Sequence, residues 1–329
     1  MYEIECISFQ SDSLISKTGV AVQPTRVRHA SISIRCSSVL YQASREMEMR
    51  MPFVVEEANP AISFKNICIS ISHPSESILS SVSGYVIKGG ITAVMGPTGS
   101  GKSLLLQCLS GRVQNLSVTG DFFMEGVRID HSDISNDVAF VARDNILIGE
   151  LTSRETLYNS AALKRNKPLP EIVEDVERFL EILGVGEVAD KAIGAPFFRG
   201  LSNRQKKLID IGSELVAAPL VLFLDEPTDD MDLGIAYEVL KTIKDVAKEN
   251  KMSIMISITH SSARILELFD HIMLLGGGAM TFFGTVPESI EYFTSIGFPP
   301  LDDHIPTDYF LQISDPTNTS VGDFNFEGI

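Results

Sequence analysis

Residues 96–103 read Gly-Pro-Thr-Gly-Ser-Gly-Lys-Ser, between the apolar run Ile91-Thr92-Ala93-Val94-Met95 and the helix-compatible run Leu104 to Leu109. Strand, glycine-rich turn and helix in this order form the setting a phosphate-binding loop needs. Gly96, Gly99 and Gly101 let backbone N–H groups turn inward and approach phosphate oxygens closely. Lys102 places a point charge on the β- and γ-phosphates, and Ser103 offers a hydroxyl to Mg²⁺. The helix after the turn aims its positive end at the same anion. The stretch Gly96, Pro97, Thr98, Gly99, Ser100, Gly101, Lys102, Ser103 and Leu104 is therefore the candidate cradle of a nucleoside triphosphate.

Such a loop needs a second, acidic half. Leu220-Val221-Leu222-Phe223-Leu224 is a continuous apolar run, as in a parallel strand buried on both faces, and it ends in Asp225-Glu226. The strand end places Asp225 near Mg²⁺, usually through a water, and lets Glu226 polarise an attacking water as general base. Pro227-Thr228 and a further acidic turn, Asp229-Asp230-Met231-Asp232, come directly after. The next buried strand, Ser253 to Ile258, leads to Thr259-His260, and a histidine there can hydrogen-bond a γ-phosphate.

The 329 residues are enough for one large domain or two smaller ones. The first 58 are rich in Ser, Arg and Met, lack a sustained period and read as a weakly ordered extension, with Ser31 to Arg35 a candidate short strand. Order is expected from Ala61: Ile62 to Ile71 alternates as a half-buried strand does, and Ile78 to Ile87 gives another, broken at Ser83-Gly84. Residues 145–204 read as a helical insertion, with Val173, Val176, Leu180 and Leu183 on the packed face of one helix. Gly234 to Glu249 is a further helix. Ile265 to Phe269, Ile272 to Leu275 and Met280 to Phe283 continue the α/β pattern, and residues 313–329 form a polar tail.

A net charge of −16 disfavours non-specific binding to nucleic acid or anionic lipid, both of which need a basic footprint. The four cysteines, Cys6, Cys36, Cys68 and Cys108, form no C-x-x-C pair, so neither a zinc site nor a disulfide framework is suggested, and a reducing, cytosolic setting fits. No secretory signal and no apolar run of membrane-spanning length are visible. With no such signal, the glycosylation pattern at Asn318-Thr319-Ser320 carries no weight.

The order GPTGSGKS, then Leu201-Ser202-Asn203-Arg204-Gln205, then VLFLDEPT, then Thr259-His260 resembles the ATP-binding cassette ATPases. Ile193 to Ser202, Gly212 to Val216, Leu147 with Leu151-Thr152 and Glu155, and Gly297-Phe298-Pro299-Pro300 with Pro306 to Leu311 resemble the G subfamily, whose half-transporters carry the ATPase ahead of the membrane domain. The resemblance implies an α/β fold: a P-loop NTPase core of RecA type with an antiparallel β subdomain and an inserted α-helical subdomain. It places the cassette at residues 59–312. It further implies ATP and Mg²⁺ as ligands, and head-to-tail pairing with a second cassette. A transmembrane domain, in cis or in trans, would hold the chain at the cytoplasmic face of a membrane.

Two departures fall on the Walker side. Arg143 stands where the family has its Q-loop glutamine; a guanidinium offers no lone pair to Mg²⁺, though it pairs readily with phosphate. Ile69 falls near the position of the adenine-stacking aromatic and would give apolar contact without a π face. On the signature side, Ser202 and Gln205 match Leu-Ser-Gly-Gly-Gln, but Asn203 and Arg204 replace the two glycines and obstruct close approach to a γ-phosphate. Asp229-Asp230 add negative charge close to a triphosphate. The expectation is a chain that hydrolyses ATP on its own Walker motifs and pairs with a different, intact cassette. The alternative is a regulatory cassette with little or no turnover. Action on ribosomes or DNA is disfavoured by the acidic charge and the G-type flanks.

Overall fold

The computed structural model describes residues 60–71, 76–194, 200–259, 262–299 and 309. The expected N-terminal extension with its candidate strand, the polar tail, His260 and most of the segment 300–312 lie outside them.

A four-stranded antiparallel sheet is built on β1 (Pro60–Ile71), which pairs with β2 (Glu76–Ile87) on one side and β4 (Ser117–Met124) on the other; β5 (Val127–Ile129) completes it. Contrary to the expected break, β2 runs unbroken through Ser83-Gly84. Gly84 faces Phe64 across the ladder, and a Cβ there would lie 2.8 Å from the Phe64 ring and 2.5 Å from Met273 Cε. The glycine makes room for a tight crossing and does not end the strand.

The second sheet has six strands in the order β10, β9, β3, β8, β7, β6. These are β3 (Ile91–Met95), β6 (Val138–Val141), β7 (Val221–Asp225), β8 (Ser253–Ile258), β9 (His271–Gly276) and β10 (Ala279–Gly284). All pair in parallel except β10, which forms an antiparallel hairpin with β9. Each face has its own core. Leu222 and Leu224 of β7 pack into one cluster, while Val221 and Phe223 pack into the other, with the antiparallel sheet. Burial on both faces is why these strands read as mostly apolar runs.

Helix α1 (Lys102–Leu109) leaves β3 through the glycine-rich turn. Between β6 and β7 stand α2 (Ser153–Lys164) and α3 (Leu169–Ile182), within the stretch read as a helical insertion, and α4 (Asn203–Leu215), which runs on beyond it. α2 opens on a capping box between Thr152 and Glu155. Val176, Leu180 and Leu183 are buried as expected, with Ile172 and Phe179 beside them, whereas Val173 is 47% exposed and off the packed face. Ile172, not Val173, is the first-turn residue in line with Val176 and Phe179. After β7 come α5 (Leu233–Asn250), the short α6 (Ala263–Leu266) and the closing α7 (Val286–Ser295). Among the described residues no helix is long and apolar enough to cross a membrane.

Candidate functional site

Four neighbouring parallel strands, β3, β8, β7 and β6, deliver their C-terminal ends to one edge of the sheet. Met95 lies opposite Ile258, Asp225 opposite Ser257, and Val141 opposite Leu224. The residues just beyond those ends are therefore neighbours whatever their sequence separation. In open α/β sheets this edge is where ligands bind.

The loop 96–101 turns sharply into α1. Gly101 stands at φ +98°, and a Cβ on it would meet Leu79 Cδ2 at 2.4 Å, so only glycine fits. Thr98 and Gly99 are exposed, Gly99 with open space around it, while Pro97 is half-buried. The Ser100 hydroxyl is buried without a hydrogen-bond partner. Lys102 is buried and bends back to donate to the carbonyls of Gly96 (2.8 Å) and Pro97 (3.2 Å). Burial lowers its pKa, and the nearby Glu226 and Asp225 carboxylates oppose that shift. Leu104 packs its side chain against the core beneath the loop, so only its backbone is available to a ligand.

Facing the loop, Ser103 Oγ donates to Asp225 Oδ1 at 2.8 Å. Lys102 Nζ stands 3.8 Å from Glu226 Oε1. Thr259 Oγ1 donates to that same Glu226 oxygen at 2.5 Å. Lys102, Ser103, Asp225 and Glu226 thus converge, as expected. His260 lies outside the described residues, and no position is assigned to it.

Three polar residues that the sequence reading missed support this arrangement. Ser257, fully buried in β8, donates to Asp225 Oδ1 (2.6 Å) and accepts from the Glu226 N–H (2.8 Å). Its signal was a hydroxyl inside the otherwise apolar run Ile254 to Ile258. Lys207 of α4 donates to the carbonyls of Ala142 (3.1 Å) and Arg143 (2.8 Å). Asp210, one turn further, lies 3.8 Å from Lys207 Nζ and accepts from the Ile146 N–H. Burial pushes the Asp210 carboxyl up to about 6, against the pull of Lys207, and lowers the pKa of Lys207.

Arg143 is exposed but ion-paired. Its guanidinium binds Asp229 through Nε (2.7 Å) and Nη2, and its Nη1 lies 3.6 Å from Glu226 Oε2. Asp229, expected as uncompensated negative charge, is thus ion-paired. Ile69 is a clear correction: it is fully buried between Leu79 of β2 and Val118 of β4, on the core face, and cannot touch a base. Ser202 and Gln205 form the capping box that opens α4, and their side chains bond to each other's backbone. They are not among the groups gathered around Lys102. Asn203 and Arg204 lie exposed beside them.

The arrangement joins a buried cation, an orphaned hydroxyl, an open glycine turn at the start of a helix, and two carboxylates. That donor set suits a polyphosphate together with a divalent cation held by few protein ligands, as Mg²⁺ is. Among the described residues no cluster of three His, Cys, Asp or Glu forms an all-protein metal cage.

Residues 79–229 match the family model described as ABC transporter. The chain is 35% identical over 248 residues to the broad substrate specificity ATP-binding cassette transporter ABCG2 of Rattus norvegicus, spanning 75% of this chain and 37% of that protein. It is 35% identical over 260 residues to ABC transporter G family member 22 of Dictyostelium discoideum (76% and 42%). It is 34% identical over 241 residues to ABC transporter G family member 11 of Arabidopsis thaliana (72% and 34%). The chain therefore spans well under half the length of these relatives.

Proposed function

The chain carries an ATP-binding cassette of the G subfamily, and we propose from this that it binds ATP on residues 96–104 and hydrolyses it to power transport across a membrane. In this reading the cassette extends over residues 59–312, works at the cytoplasmic face, and is joined to a transmembrane domain in cis or in trans. The carrying observation is the convergence of Lys102, 3.8 Å from Glu226, with Ser103 bound to Asp225.

Lys102 holds the β- and γ-phosphates, and leaves the carbonyls of Gly96 and Pro97 to do so. The glycine turn and the first N–H groups of α1, which have no partner within the helix, bind the remaining phosphate oxygens. Ser103 and Asp225 would hold Mg²⁺, which would supply positive charge to offset the negative charge of the phosphates. Glu226, oriented by Thr259 and Ser257, accepts the proton of the attacking water. His260 hydrogen-bonds the γ-phosphate.

The partner in this reading is a second, unlike cassette. Ser202 and Gln205 start α4 as a capped helix, but exposed Asn203 and Arg204 stand on its first turn, where a second chain's triphosphate would have to approach. Losing one preorganised contact of this kind lowers rates by about 10² to 10³. The same feature, with Arg143 lying against Glu226, favours the second reading, a regulatory cassette with slow turnover.

The purified chain is expected to bind ATP, with Lys102→Ala weakening binding at least about tenfold. Alone it should turn ATP over slowly and without cooperativity, and Glu226→Gln should abolish that turnover while leaving binding intact. Brisk cooperative hydrolysis by the chain alone overturns the unlike partner. Equal turnover in wild type and Glu226→Gln removes Glu226 as the base and supports the regulatory reading. Binding unaffected by Lys102→Ala removes the site.

A further inference from the structure

Arg143 is held at both ends. Buried Lys207 fixes its backbone carbonyl at 2.8 Å, and Asp229 fixes the Nε edge of its guanidinium at 2.7 Å. The remaining edge is engaged loosely, with Nη1 3.6 Å from Glu226 Oε2. Lys102 approaches the other oxygen of that carboxylate, at 3.8 Å. Two cations therefore straddle Glu226. One belongs to the phosphate loop; the other is anchored outside it and is 58% exposed.

This unequal grip has a chemical consequence. Arg–carboxylate and Arg–phosphate pairs use the same fork geometry, so a terminal phosphate entering beside Lys102 competes with Glu226 for the loosely held edge. Asp229 holds the other edge and keeps the guanidinium in place during the exchange. A diphosphate lacks the group that makes this competition.

We propose that Arg143 adds to Lys102 a further contact by which this site distinguishes a nucleoside triphosphate from a diphosphate. Its Nη1 edge passes from Glu226 to a γ-phosphate oxygen while Asp229 retains the Nε edge. The exchange releases Oε2 of Glu226 to accept a hydrogen bond from water, so Arg143 binds substrate directly and affects hydrolysis by positioning Glu226. The inference rests on the reading that a triphosphate lies along Lys102. It assigns to Arg143 a task that needs no bound metal.

The test is displacement of methylanthraniloyl-ADP by ATP or ADP, in EDTA and again with Mg²⁺, for wild type, Arg143→Gln and Arg143→Lys. In EDTA the wild type should prefer ATP over ADP by about tenfold, the worth of one charge-assisted contact. Arg143→Gln should lower that preference severalfold through weaker ATP binding alone, Lys102 keeping the remainder, with ADP affinity within about twofold of wild type. Arg143→Lys keeps the charge without the fork and should fall between. Asp229→Asn frees the anchored edge and should also reduce the preference. An unchanged ATP-to-ADP ratio in Arg143→Gln, or equal loss of both nucleotides, overturns the proposal while leaving the site itself intact. If the wild type displaces the probe with neither nucleotide, the site reading fails and this inference with it.

Discussion

One hydroxyl, that of Ser257, orients both acids of the site. It donates to Asp225 and accepts from the backbone of Glu226, a residue held at φ +42°, in the left-handed region that a residue with a Cβ enters at a cost. Ser257→Ala leaves a buried carboxylate oxygen and a buried N–H each short of a partner. The variant should lose about 1–3 kcal/mol in urea unfolding, and Ser257→Cys should recover little because a thiol is a poor acceptor. An unfolding free energy equal to wild type would show that water replaces the hydroxyl. The pairing of Arg143 with Asp229 is a second case at this scale. Each departs from the family pattern, and each taken alone reads as a defect. They stand 86 positions apart, so only the adjacency of β6 and β7 reveals that one charge answers the other.

Helix α4 begins with the exposed signature residues and, one turn later, grips the segment after β6: Lys207 takes two of its carbonyls and Asp210 one of its N–H groups. The pH response of that grip has a definite sign. Burial raises the folded Asp210 carboxyl to about 6 from its ordinary 3.8, with Lys207 opposing and Glu214 and Lys164 nearby. Between those values the folded chain binds the proton more tightly than the unfolded one. Stability from this group is therefore gained as pH falls through the window and lost as pH rises through it. The full span corresponds to about 3 kcal/mol. Unfolding free energies of wild type and Asp210→Asn should diverge in the wild type's favour from pH 7 to pH 4; parallel curves would show that Asp210 is solvated in the folded state. The elements themselves were unequally legible. Ile91–Met95 and Ser253–Ile258 have the limits the sequence suggested, because burial on both faces writes itself as a mostly apolar run. β4 and β5 were not foreseen: their residues are mostly half-buried or exposed and carry no clean alternation. Val173 was misassigned because apolar residues at adjacent positions, Ile172 and Val173, leave the helical phase open.

The molecule divides its labour between two sheets, one that carries the reactive groups and one that packs beneath the loop. Ligand binding to the first should register in the stability of both. At ATP about a hundred times above its dissociation constant, linkage supplies about 2.7 kcal/mol. In a domain of this size that raises Tm by roughly 5–10 °C. Differential scanning fluorimetry with and without ATP and Mg²⁺ measures it, and a shift that survives Lys102→Ala would place the nucleotide elsewhere. Most of the site could be read in the sequence, since its motifs are local strings; its supports could not, since Ser257, Lys207 and Leu79 act across distances that no string records. Of these supports, Leu79 reaches furthest. Its side chain fills the space under Gly101, and its neighbour Ser80 donates to the Gly278 carbonyl at 2.9 Å, pinning β2 to the β9–β10 hairpin. A protein engineer who trimmed the chain to its parallel sheet, keeping every letter of the glycine-rich turn, would take the floor from under that loop and keep its letters without its shape.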